Sequence, residues 1–313
     1  MNNQKNEINH EICFGIDVGG THIRSTVSDG STFSDVQINR TPKSYDELII
    51  LLLDLIAHAN SLKRINKIGI GLPGRTDPEK PIWIPKLPYL NQSHLVEDLM
   101  DKFKANVTLI NDAQAALVGE VNFGAAKGCR NVILVTLGTG IGGGVMIDGK
   151  IYVGHNGTAG SFGWLLAPVK VYPNPELGPW ERWASGNSLQ NTAENLGLSI
   201  AELLNDTPHP KDSPAESAVA DFAIRVGKGL GSLVSLFDPQ VVIVSGGLVN
   251  SWSALERGVN EGFLSTASPS VRKTPIRIAQ LGSNAGAIGA SITARNYFNE
   301  LNNEINNNQS KGI

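Results

Sequence analysis

Two apolar runs in this chain, each stopped by glycine and each turning back into a second strand, lie a fixed distance apart. That repeat constrains the fold more than any single motif does. Ile12 to Val18 ends at Gly19-Gly20, and Ile23 to Ser28 alternates up to the turn pair Asp29-Gly30, the pattern of a β-hairpin. Asn131 to Leu137 ends at Gly138, Gly144 to Ile147 follows, and the turn pair Asp148-Gly149 closes the second hairpin. Third strands are expected near Val36 to Asn39 and at Ile151 to Val153. Placing Gly19 on Gly138 also places Asp29 on Asp148, since 138 − 19 and 148 − 29 are both 119. A period this long far exceeds a solenoid repeat and points to two similar lobes produced by an internal duplication.

Around the hairpins, helix and strand alternate. Helical spacing covers Tyr45 to Leu62, Ser93 to Phe103, Asp112 to Phe123, Glu181 to Leu196, Ser199 to Asn205, Ala215 to Phe237, Trp252 to Phe263 and Ala285 to Glu300. Short apolar runs predict strands at Ile65 to Leu72, Val107 to Ile110, Val241 to Val244 and Ile276 to Gln280. The class is α/β. The 313 residues, 41% hydrophobic and 18% charged, suffice for one large or two medium domains with a substantial core.

A formal charge of -3 creates no general field for nucleic acid or an anionic membrane, so a bound anion must be held by local geometry. The 2 cysteines, Cys13 and Cys129, match neither a disulfide framework nor a zinc spacing. The first residues hold no apolar leader, and no stretch approaches the roughly 18 apolar residues of a membrane span. A soluble, cytoplasmic protein without nucleic-acid or membrane partners is expected. Met1 to Glu11 and Asn302 to Ile313 read as frayed polar tails, and Pro168 to Pro179 as an irregular stretch.

Asp17-Val18-Gly19-Gly20-Thr21 and Leu137-Gly138-Thr139-Gly140-Ile141-Gly142-Gly143-Gly144 each occupy the bend of a hairpin, where missing Cβ atoms let backbone N–H groups approach an anion. Neither is followed by Gly-Lys-Ser/Thr, and neither has the strand-to-helix setting of a dinucleotide fingerprint. A tight turn explains either loop alone as well as a ligand does; the duplicated pair favours a phosphate chain gripped from two ends. Asp17 can hold Mg²⁺ through water, since magnesium uses few protein ligands, or can simply cap the turn. Thr21 and Thr139 add hydroxyls, and Arg24 adds a cation or a solvated surface residue. Ser245-Gly246-Gly247 after a buried strand either receives a nucleotide base against bare backbone or is a plain strand-to-helix turn.

Taken with Asn111-Asp112-Ala113 and Asn156-Gly157-Thr158-Ala159-Gly160, these motifs, in this order from about Ile12 to Asn296, resemble the ROK (repressor, open reading frame, kinase) family. The resemblance implies an actin-like ATPase (ribonuclease H-like) fold with two similar lobes and a central cleft, residues 1–122 with 285–313 forming the acceptor and phosphate side and residues 123–284 the nucleotide-binding and dimerising side. It implies ATP and Mg²⁺ on the glycine loops at Asp17, Gly19, Gly20, Thr21, Gly138, Thr139 and Gly140, with Gly246 and Gly247 also on the nucleotide. It further implies a sugar whose 6-hydroxyl attacks the γ-phosphate, Asp112 as catalytic base, Gly74 and Asn111 on the sugar, and Glu181 at the C1/C2 end. Chemistry agrees about Asp112, because a carboxylate at a strand end can take a hydroxyl proton during in-line transfer, although an Asp there can also cap the helix. A homodimer is implied by the resemblance alone.

The chain departs from the family where a Glu and a Gly-His are usual, and instead has Ser161 and Gly163-Trp164. The cysteine cluster that the family places upstream of Glu181 is missing together with that His, so no zinc is expected. Trp164 either offers a flat face to a sugar ring or packs against Trp180 or Trp183. Lys86 in Pro85-Lys86-Leu87-Pro88 stands where the family usually has Asn. An active kinase, of an ordinary hexose or of a sugar that differs or carries a larger group at C1 or C2, is favoured because Asp112 and both loops remain; a sugar-binding sensor without turnover is the alternative, and a transcriptional regulator is disfavoured because only residues 1–11 precede the first strand.

Overall fold

The structure, a computed structural model, describes residues 12–76, 83–84, 86–91, 93–103, 106–168, 177–205 and 209–310, with side chains to residue 299. The polar tail at residues 1–11 and most of the proline-rich stretch, residues 169–176, lie outside the described residues. The chain divides into two compact units, residues 1–119 with 284–313 and residues 120–283.

In the first unit, β1 (Cys13–Val18), β2 (His22–Ser28) and β3 (Gln37–Arg40) form an antiparallel meander. Helix α1 (Tyr45–Leu62) starts at Ser44, whose side chain accepts the Glu47 N–H, an N-cap that satisfies one of the orphan donors of the first turn. The chain continues through β4 (Lys67–Leu72), α2 (Leu95–Phe103), β5 (Asn106–Asn111) and α3 (Asp112–Phe123). The sheet order is β3-β2-β1-β4-β5, with β1, β4 and β5 parallel. Phe14, Ile16, Ile68 and Ile70 are buried with Leu48, Leu52 and Ile56 of α1. Helix α9 (Ala285–Ser310) packs on the same sheet, and glycines permit the approach: a methyl at Gly69 would stand 1.9 Å from the Ala290 carbonyl oxygen, and one at Gly15 2.0 Å from that of Ala287.

The second unit repeats the plan. β6 (Val132–Leu137) and β7 (Ile141–Ile147) keep the bounds of β1 and β2 at the same 119-residue offset. β8 (Lys150–Ile151), α4 (Pro179–Ala184), α5 (Gly186–Asn195), α6 (Ile200–Leu203), α7 (Pro214–Phe237), β9 (Val241–Ser245), α8 (Trp252–Thr266) and β10 (Ile276–Ile278) complete it. Its order, β10-β9-β6-β7-β8, is that of the first sheet read from the other end. The hydrophobic core gathers Val135, Leu137, Trp180, Leu230 and Val244.

Three elements differ from the sequence expectation. The helix predicted over Glu181 to Leu196 is broken at Ser185, which is extended at φ −90° and ψ 171° and caps α5 by accepting the Ser188 N–H. β7 starts at Ile141, so Gly142 to Gly144 are strand residues rather than part of the bend. A methyl at Gly143 would strike the Phe162 ring at 2.5 Å, so these glycines admit close packing, a recognised use of glycine inside strands. The backbone from Asn302 to Ser310 is helical as the end of α9, since no Gly or Pro after Gly289 interrupts it.

Glu120, fully buried, organises both ends of the second unit. Its Oε2 accepts the N–H groups of Ala125 at 2.8 Å and Gln280 at 3.1 Å, and its Oε1 that of Leu281 at 2.8 Å. Glu120→Ala leaves the buried Ala125 N–H unmet at about 1–3 kcal/mol and removes the acceptor of the part-buried Gln280 and Leu281 N–H groups as well. Urea unfolding is expected to show a loss of roughly 3 kcal/mol for Ala and a smaller one for Gln, which keeps an acceptor. A loss below about 1 kcal/mol for Ala would mean that these bonds do not anchor the unit.

Candidate active site

Parallel pairing decides which residues meet in the first unit. Asp17 on β1 is in register with Gly71 on β4, and Leu72 on β4 with Asn111 on β5. The carboxyl ends of three sequence-distant strands therefore share one edge, where open α/β sheets bind ligands. Asp17 lies there with the bend Gly19-Gly20-Thr21, the turn at Gly74, and Asn111-Asp112.

Each piece is held by its own bonds. Gly19 N–H donates to His22 O at 3.0 Å, Thr41 Oγ1 donates to Gly19 O at 2.6 Å, and Thr41 N–H donates to Thr21 O at 3.0 Å. Thr41 thus ties both carbonyls of the bend from behind. Gly74 must be glycine because a methyl would stand 2.2 Å from the Trp83 carbonyl oxygen, and its own carbonyl accepts the Asn111 amide at 3.1 Å. The Asn111 Oδ1 accepts the N–H groups of Ala113 at 3.0 Å and Gln114 at 3.2 Å. Asn111, not Asp112, is therefore the N-cap of α3. Asp112 is the first helical residue and accepts Ala113 N–H on Oδ1 at 2.8 Å. The Asn111 amide, whose oxygen is committed to the helix, donates to Gly74 O and also lowers the Asp112 carboxyl by hydrogen bonding to it.

Two carboxylates at one partly buried edge disturb each other. Burial, and then the charge of Asp112, push the Asp17 carboxyl up to about 7, and the opposing pull of Arg24 on β2 does not offset them. Arg24 is the cross-strand partner of Asp17, and its buried Nε has no hydrogen-bond partner among the described residues. Burial also raises the Asp112 carboxyl, opposed by the Ala113 N–H, the Lys86 charge and the Asn111 side chain. The Asp17 carboxylate fits only because glycine faces it: a methyl at Gly286 in the first turn of α9 would stand 2.6 Å from Oδ2. Thr41 and Gly286 carry no motif of their own, and the sequence reading missed both.

The second unit holds the other loops. Gly138 N–H donates to Gly140 O at 3.0 Å, while the first amides of α5, from Gly186 and Asn187, donate to Gly138 O at 2.7 Å and Thr139 O at 3.2 Å. The helix break at Ser185 is what presents those amides. Thr139 is exposed, and a methyl at Gly138 would meet nothing within 4 Å. Gly246 has φ +97° and lies against Leu137, so the bends after β6 and β9 are neighbours. Gly247 is exposed with open space at its Cα.

Glu181 on α4 extends its carboxylate toward the same bend. Methyls at Gly140 and Gly163 would stand 2.6 Å and 2.7 Å from its Oε1 and Oε2. Ser161 is exposed and its hydroxyl donates to Thr158 O at 2.7 Å. Trp164 is 55% exposed on the turn beside Gly163. It does not fill a core: Trp180 is buried and donates to Arg225 O at 3.2 Å, and Trp183 stacks under the Arg225 guanidinium at 5.7 Å. Among the described residues, no three His, Cys, Asp or Glu side chains converge as a metal site, and no helix is long and apolar enough to cross a membrane.

The ROK family model matches residues 13–297. A glucokinase of Streptomyces coelicolor is 31% identical over 91% of this chain and 98% of its own length. The crystal structure of a ROK hexokinase from Thermus thermophilus superposes with a TM-score of 0.80 at 31% identity, covering 92% of this chain and 99% of that one. A ROK family glucokinase from Streptomyces griseus, solved in complex with glucose and AMPPNP, gives 0.73 at 26% identity over 91% and 99%. The fold is the actin-like ATPase fold of these proteins.

Because the folded carboxyl of Asp17 titrates near 7 against an ordinary 3.8, its contribution to stability is fully present below pH 3.8 and is lost as pH rises through 7. Asp17→Asn is therefore expected to be more stable than wild type in urea at pH 8, with the gain shrinking toward zero near pH 4. A gain that is independent of pH would contradict the raised carboxyl.

Proposed function

The chain belongs to the ROK family, and we propose that it transfers the γ-phosphate of ATP to a primary hydroxyl, the 6-hydroxyl of a hexose or hexose derivative, with Asp112 as general base. Its standing as a sugar phosphotransferase rests on the family and on the kinase relatives. The base assignment rests on Asp112, which parallel pairing sets beside a glycine bend with one oxygen bound to Ala113 N–H and its carboxyl raised by burial. A base strengthened in this way takes the acceptor proton more readily as the new O–P bond forms.

The bends at Gly19-Gly20-Thr21 and Gly138-Thr139-Gly140 would each offer backbone to phosphate, with Gly246 and Gly247 beside the rest of the nucleotide. Glu181 would accept hydroxyl hydrogen bonds from the sugar, and Gly74, Asn111, Ser161 and Trp164 would complete its surroundings. The donor set fits magnesium, because a cation there would offset the burial and the Asp112 charge that favour a proton on Asp17, which Arg24 alone does not. Asp17 would hold the ion through water, and the bound ion would neutralise charge on the phosphate oxygens. A homodimer in the cytoplasm and the absence of bound zinc belong to the same reading.

Ser161 and Trp164, which replace the family's usual sugar contacts, favour a second reading in which the protein senses a sugar without turnover. A panel of monosaccharides and small glycosides with MgATP and coupled ADP detection decides between them: turnover of at least one acceptor is expected, and none above background would sink the kinase. Asp112→Asn is expected to lower kcat by about 10²–10⁴, whereas turnover close to wild type would remove the base. Elemental analysis of the native protein is expected to find no zinc, and a stoichiometric amount would overturn that part of the account.

A further inference from the structure

Lys86 stands beside both groups that the reaction would bring together. Its side chain is exposed, while the segment bearing it is fixed, since Ile84, Leu87 and Leu90 around it are buried. Ile84 N–H donates to Asn91 Oδ1 at 2.6 Å, and Leu87 N–H donates to Ile84 O at 3.1 Å. Tyr89 OH donates to Pro42 O at 2.8 Å, next to Thr41, which holds the Gly19 and Thr21 carbonyls. One strap, Thr41-Pro42, thus anchors the glycine bend and the ledge that carries Lys86. A methyl at Gly20 would stand 4.0 Å from Lys86 Cβ. On the other side, the charge of Lys86 reaches the Asp112 carboxyl and opposes its rise.

We propose that Lys86 is a catalytic residue that binds the γ-phosphoryl oxygens during transfer, an inference that rests on the kinase reading. The acceptor oxygen forms its bond to the γ-phosphorus while the bond from that phosphorus to the β–γ bridging oxygen breaks. The electron pair leaves with ADP, the hydroxyl proton goes to Asp112, and Lys86 keeps its own proton throughout. A flexible ammonium on a fixed ledge can follow three phosphoryl oxygens whose charge spreads as they move. The same cation gains far less from a neutral hydroxyl than from this charge, which is why its closeness to the Gly20 bend, with its charge felt at Asp112, points to the transferring group.

The test is steady-state kinetics of Lys86→Met, Lys86→Gln and Lys86→Arg with MgATP and an acceptor that wild type turns over, alongside their melting temperatures. Met and Gln are expected to melt with wild type and to lose about 100-fold or more in kcat, with the acceptor KM within about threefold. Arg is expected to restore at least about tenfold of that loss. A Met or Gln variant with kcat within about threefold of wild type overturns the proposal. So does a loss confined to the acceptor KM, which would make Lys86 an acceptor ligand, and so does an Arg variant no better than Met. Wild type inactive on every acceptor would instead sink the kinase reading beneath it.

Discussion

Parallel pairing of β1, β4 and β5 forces two carboxylates onto one sheet edge, and the rest of the first unit accommodates that crowding. Asp17 and Asp112 reach the edge from strands far apart in sequence, and burial raises both carboxyls despite the opposing pull of Arg24 on one and of Lys86 on the other. Burial and then Asp112 push the Asp17 carboxyl up to about 7, so a cation bound there would displace its proton. Gly286 leaves room for the carboxylate, and the Thr41 strap fixes the bend beside it. A stable fold does not need two buried acids in one place, and carboxyls shifted in this way mark a candidate functional site.

The second unit uses the same strand plan without the paired acids. Its bend, Gly138 to Gly140, is tied back by the first amides of α5, whereas the first bend is tied back by a threonine. Each solution satisfies the carbonyls of a tight turn and leaves glycine facing outward. Glu181 is the acid beside this bend, and at Gly163 a methyl would crowd both its Oε2 and the Ile141 carbonyl oxygen.

Much of this was legible in the residues because hairpins announce themselves locally. The 119-residue offset between the two bends survives in the strand bounds themselves, the helix at Tyr45–Leu62 follows its apolar spacing, and that at Asp112–Phe123 follows its alanine and leucine content. What escaped was set by contacts distant in sequence. Gly142 to Gly144 looked like an extended bend, but Phe162 makes them a tightly packed strand. Ser185 sat unremarked inside a helical pattern, although its hydroxyl starts a new helix that supports the second bend. Periodicity cannot say which of Asn111 and Asp112 caps a helix, and the structure gives that work to Asn111, leaving the aspartate one oxygen less committed. Trp164 could have been core by composition, yet it is 55% exposed.

If this sheet edge delivers a phosphoryl group to a primary hydroxyl, the product carries its ester on a CH₂ carbon. Proton-coupled ³¹P NMR of the product formed from MgATP and an acceptor sugar tests it most directly, because the splitting counts the protons on the carbon that bears the ester. A phosphomonoester triplet, from coupling to a CH₂ group, is the predicted result. A doublet, from an ester on a ring CH, or inorganic phosphate alone, would contradict it.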